Sequence, residues 1–257
     1  MKTATIITFL LIAAALQAQT AVEKLKYEAY TQADPTKWLK AANYVEKNTD
    51  MSKTENIEEV IHCYYAYASA LIAKKMRIEA AKAIEKGKKM ADELLKKEPE
   101  NALALNYKGC FIGYEIAMNK MKAITLGKSC MNYLNRAYHL NPNYPQILFD
   151  KGNSLYYPPR IFGGDKKEAL KHYQKAIAIL EKQNKTQHNW MYLQLLVVEA
   201  HSYELLGNDQ LAEKSYLKAL KTAPDFQLVK NELYPKLKSR MNGTSNEKPQ
   251  ERDYSLK

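Results

Sequence analysis

The chain has 257 residues, with 39 Lys and Arg against 28 Asp and Glu for a formal charge of +11, and 46% of it is hydrophobic. Its 9 Gly and 9 Pro make up about 7% of the chain against an ordinary ~12%. That excludes collagen-like sequence and argues against a many-turned β-sandwich or barrel, while the apolar content excludes wholesale disorder. Three cysteines are too few for a disulfide-built scaffold, and their odd number leaves at least one thiol unpaired within the chain.

In chain order, Lys2 followed by an apolar run from Ile6 to Leu16 and the small residue Ala18 before Gln19 predicts a cleaved export signal over residues 1–18. The run is too short to span a bilayer, and no cysteine follows it to carry a lipid anchor. The expected location is therefore periplasmic or secreted, with no membrane span after cleavage. Residues 22–55 read as capping helices, broken at Asp34-Pro35 and again between Asn48 and Thr54. From 56 to 226 apolar residues recur three and four apart, with breaks at Pro99, Pro142, Pro158 to Asp165, Lys185 to Asn189, Gly207 and Pro224. A final helix is expected over 227–241. Residues 242–257, polar and aperiodic from Asn242-Gly243 onward, read as a disordered tail.

The central segment repeats itself. Ala212, Tyr216, Ala219 and Pro224 stand at offsets 0, 4, 7 and 12. Cys130, Leu134, Ala137 and Pro142 keep those offsets, as do Gly87, Ala91, Leu94 and Pro99. Ala169, Tyr173 and Ala176 begin a fourth copy that reaches Glu181 in place of proline. Gly109 and Gly152 each lie ten residues after a proline. Small residues on one helix face admit a neighbouring helix closely, a large residue fills the gap, and proline stops the helix.

At these residues the chain resembles the tetratricopeptide repeat family, most closely from Leu193 to Phe226, where Leu196, Ala200, Tyr203, Gly207, Ala212, Tyr216, Ala219 and Pro224 stand at the family's spacing. The resemblance implies an all-α solenoid of antiparallel helix pairs and a non-catalytic scaffold. It also implies a concave groove lined by each pair's first helix, binding a protein or peptide partner in the cell envelope. Projected onto this sequence, that face selects Asn106, Cys110 and Tyr114, then Phe149, Asn153, Tyr156 and Tyr157, then Val197, His201 and Glu204, with Arg160 on the adjoining insert. Aromatics beside amides suit an extended peptide or a small ligand. The insert from Tyr156 to Asp165 resembles a connection in periplasmic repeat proteins that partner TRAP-type transporters. That likeness implies the alternative role, a small-molecule-binding accessory of an uptake system. Phe162 is expected to plug a gap between helices there, and Asp165 with Glu168 to cap the next helix.

Catalytic motifs are absent. Gly163-Gly164-Asp165 lacks the rest of a phosphate loop, and there is no Gly-x-Ser-x-Gly elbow or His-Glu-x-x-His pair. His201 and Glu204 share a helix face at i, i+3 but lack a third ligand, so no metal and no cofactor are expected. Cys63, Cys110 and Cys130 read as small buried hydrophobes, with a Cys110–Cys130 disulfide conceivable. The lysines around residues 74–89 and 166–175 alternate with acids such as Glu79, Glu85, Asp92 and Glu93, the pattern of solvated helix faces rather than a nucleic-acid surface.

Overall fold

The computed structural model describes residues 20–244, and the regular elements in that span are all helical. They are α1 (20–31), α2 (Pro35–Asn48), α3 (Thr54–Ala73), α4 (Arg77–Lys97), α5 (Ala102–Met118), α6 (Ala123–Leu140), α7 (Pro145–Tyr156), α8 (Lys166–Lys182), α9 (Trp190–Leu205), α10 (Asp209–Thr222) and α11 (Tyr234–Met241). A π-turn over Val229–Leu233 leads into α11. From α2 to α10 each helix packs on the next, and α3, α5 and α7 also pack in series. The fold is an all-α solenoid-like array of antiparallel helices.

The repeat's prolines mark real stops. α4, α6 and α10 end at Lys97, Leu140 and Thr222, and Pro99, Pro142 and Pro224 follow two residues later, where a ring without an N–H cannot continue the ladder. Several helices without that proline end through a left-handed residue. Lys75 (φ +59°), Asn184 (φ +55°) and Gly207 (φ +76°) play this part after α3, α8 and α9. Each is followed by a closing bond of 2.8–2.9 Å: Met76 N–H to Leu71 O, Lys185 N–H to Leu180 O, and Asn208 N–H to Tyr203 O. Starts are capped by Asp34, Asn101, Asp165 and Asn189, whose side-chain oxygens accept first-turn N–H groups.

Inside the array, small positions receive large ones. A Cβ on Gly109 would come within 2.8 Å of the Leu134 side chain, and one on Gly152 within 2.3 Å of the Tyr173 ring. Tyr173 and Tyr216, both on the repeat's large position, are fully buried. Gly152→Ala gains about 1 kcal/mol of helix propensity but drives its methyl into Tyr173, an overpacking cost of ~1–3 kcal/mol. The net expectation is a loss of up to about 2 kcal/mol by urea denaturation, part of it recovered when Tyr173→Leu is added. A strictly additive double variant would contradict this contact.

The array closes on itself. α9 is buried on nearly every side, as a helix apolar all round must be. Trp190 at its start packs against Trp38 of α2 (ring centroids 5.0 Å apart), His62 of α3 (5.3 Å) and Tyr30 of α1 (5.8 Å). α1 lies across the first helices of the first and last pairs. Val22, Lys26 and Ala29 face inward at 3–4 residue spacing. Lys26 Nζ bonds Glu23 (2.6 Å) and Glu59 of α3 (2.8 Å). Tyr30 donates its hydroxyl to Gln194 of α9 and packs on Phe226. Burial penalises the Lys26 charge, but Glu59 and Glu23 outweigh it and hold the ammonium above its ordinary pKa.

The 157–165 insert forms a compact loop. Gly163 is left-handed (φ +87°), and a Cβ on Gly164 would lie 1.9 Å from Pro158 O, so only glycine fits. Asp165 Oδ1 accepts from Lys167 and Glu168 N–H at 3.0 Å each, while the Glu168 carboxylate turns to Lys171. Phe162 does not plug a helix gap: it is 74% exposed, because the loop turns its tip outward.

Candidate functional site

The inner faces of α3, α5 and α7 meet at a buried carboxylate. Asp150 of α7 is 3% exposed; its Oδ1 accepts the Tyr65 hydroxyl (2.7 Å), and its Oδ2 accepts amide N–H groups from Asn106 and Gln146 (2.6 Å each). No ion pair balances it among the described residues. Burial pushes its carboxyl pKa up, against the pull of the Gln146, Asn106 and Tyr65 donors. Aromatic rings wall the cluster: Tyr65 stacks on Tyr114 (5.5 Å), and His62 on Tyr107 (5.8 Å). Three buried atoms here find no hydrogen-bond partner among the described residues: Asn106 Oδ1, Gln146 Oε1 and His62 Nε2.

A carboxylate whose folded pKa is raised favours the fold most when protonated. Its contribution is full below the unfolded pKa of about 4 and is lost as pH rises through the folded value. Relative to Asp150→Asn, the wild type should therefore lose stability as pH rises above about 4, read as diverging urea midpoints. Parallel curves for the two proteins would contradict that placement.

The residues projected onto a groove fall into separate positions. Asn106 and Tyr114 belong to the Asp150 cluster. Phe149 packs on Tyr173 (6.1 Å), and Asn153 accepts the Tyr173 hydroxyl (2.9 Å). Tyr156 bonds His201 Nδ1 and takes Tyr157 edge-on at 5.1 Å. Glu204 accepts from Tyr216 (2.6 Å) and Arg240 (2.9 Å), so the His201–Glu204 pair is engaged by structural partners. Arg160 stands apart on the exposed loop. Apart from Arg160 and the half-buried Asn153 and Tyr157, the set is buried rather than open to solvent, held among the packed helices.

Asp150, Gln146, Tyr65, Tyr107 and His62 were not singled out from the sequence. The signal was present in α7: Gln146, Asp150 and Asn153 form a polar i, i+4, i+7 stripe in an apolar helix. All three cysteines are buried free thiols, so the Cys110–Cys130 disulfide is not formed. Cys130 donates to Gly109 O (3.3 Å), and burial pushes its pKa up to about 11, which makes it inert at neutral pH. No group of three or more His, Cys, Asp or Glu is placed to hold a metal among the described residues. No family model matches the chain, and no curated protein matches it.

Proposed function

We propose that the protein is an exported, non-catalytic scaffold of tetratricopeptide type whose inner helical face receives an amphipathic segment of an envelope protein or peptide. One observation carries the reading. α1 seats Val22, Lys26, Ala29 and Tyr30 against α3 and α9, so a helix already occupies that face and supplies it with an apolar stripe, a cation for Glu59 and a donor for Gln194. A partner helix of the same pattern would bind in place of α1. Weakening the resident helix with Tyr30→Ala should then raise recovery of the envelope partner, and a synthetic peptide of residues 20–34 should compete it away. Recovery indifferent to both changes would overturn the reading.

The Asp150 cluster favours a second reading, that of a small-molecule accessory of an uptake system. A buried carboxylate beside two unpartnered amide oxygens suits a ligand rich in N–H donors. Stabilisation by amines or amino acids in a thermal screen, lost in Asp150→Asn, would distinguish it from the peptide reading.

A further inference from the structure

The turns within helix pairs, 74–76, 119–122, 157–165 and 206–208, connect α3 to α4, α5 to α6, α7 to α8 and α9 to α10. Because α3, α5 and α7 pack in series, their turns share one edge of the array. The Arg77 guanidinium bonds Met118 O and ties the first two of these turns together.

This edge is unlike the rest of the surface. Most of the large hydrophobic side chains exposed among the described residues sit on it: Met76 (39%) and Ile78 (72%), Met121 (73%) and Ile124 (82%), Ile161 (85%) and Phe162 (74%). Between them stand exposed cations, Lys74, Lys75, Arg77, Lys120, Lys122 and Arg160. Lys74, Lys75 and Lys120 have no acidic partner among the described residues. The opposite edge, with turns at 49–53, 98–101, 141–144, 183–189 and 223–226, mixes exposed Lys53 and Lys185 with exposed Asp50, Glu100 and Asp225, and its large exposed hydrophobic side chains among the described residues are the partly exposed Leu140 (37%) and Tyr144 (41%).

We propose that this edge docks the protein peripherally on an anionic lipid surface. The apolar side chains protrude in pairs from separate turns. A protein partner would need a matching relief, whereas a bilayer accepts each tip wherever it lands in the plane. The intervening cations meet lipid phosphates, and they have the right sign for an anionic leaflet. The aliphatic tips lack the stacking surface that single-stranded nucleic acid requires. No helix among the described residues is long and apolar enough to cross a membrane, so the attachment is to the surface.

The test uses the full chain with Phe162→Trp as a reporter, since Trp38 and Trp190 are buried. Vesicles of phosphatidylcholine with about 30% phosphatidylglycerol and brominated acyl chains are expected to quench and blue-shift the reporter, less so at high salt. Because the signal arises at the loop itself, attachment through residues 1–19 does not imitate it. Lys120→Glu with Lys122→Glu should weaken the partition at least about tenfold, while Tyr144→Trp on the opposite edge should report no quenching. The proposal is overturned by an unquenched reporter at position 162, by equal quenching in pure phosphatidylcholine, or by quenching at position 144. It is equally overturned if Ile161→Ser with Phe162→Ser dissolves a homo-oligomer or releases a bound protein while vesicle binding is unchanged.

Discussion

Trp190→Ala is expected to cost the chain about 3–5 kcal/mol, the range for truncating a buried large aromatic. Trp190 is 6% exposed and is the point where α1, α2 and α3 meet α9. The loss is more than a cavity. Contacts along a solenoid are mostly between neighbours, so its ends are coupled only if something spans them. Here Trp190 and α1 do so, over more than a hundred residues of sequence. Urea unfolding of the wild type should be one cooperative transition, and Trp190→Ala should broaden it or split off the N-terminal helices. Trp190→Phe should retain most of the stability. A Trp190→Ala protein with an unchanged midpoint would show that the closure contributes nothing.

The second large effect is acid lability through His62. Burial, with Lys26 nearby, depresses its pKa from 6.5 to about 3, partly countered by Glu23. It faces Tyr65, Tyr107 and Trp190 and lies near the Lys26–Glu23–Glu59 group. A base with a depressed folded pKa stabilises the fold in its neutral form. That contribution is present above about pH 6.5 and is lost as pH falls from 6.5 toward 3. Each pH unit in that window is worth about 1.4 kcal/mol, so about 3 kcal/mol should be gone by about pH 4. His62→Phe keeps the ring stack and surrenders no bond at Nε2, which is unpartnered. Its stability should match the wild type near pH 7.5 and exceed it by that margin near pH 4, read by urea midpoints. Parallel pH curves for the two proteins would contradict a buried, neutral His62. The slope opposes that of Asp150, so above about pH 4 the two contributions offset one another where their windows overlap.

How far the sequence carried the fold depended on which stop signal a helix used. Proline and Gly207 were visible as punctuation. The end of α3 was not, because Lys75 takes the left-handed conformation there, a role most residues fill poorly. The turn after α5 was equally hidden, since Asn119 caps it without glycine or proline. Missing these two ends left the register of α3 unset, and with it Tyr65 and His62. Of the projected inner face, Asn106 and Tyr114 turn inward into the buried Asp150 cluster. Its burial was out of reach, because it arises from closure, and Tyr30 and Trp190 share no periodicity that could signal their meeting. The outward turn of Phe162 was likewise unreadable: an apolar residue in a loop is expected inside, and only the backbone path through Gly163 and Gly164 sends it out.

The central claim is that the inner face of the array is closed over by α1. Amide hydrogen exchange followed by mass spectrometry tests it directly, comparing a peptide over residues 20–34 with peptides from α3 and α9. Seated against Glu59, Gln194 and Trp190, the later amides of α1 should exchange as slowly as those of α2, and Trp190→Ala should accelerate them. Exchange of residues 20–31 at the rate of an unstructured peptide, with α3 and α9 still protected, would show an open inner face and contradict the account.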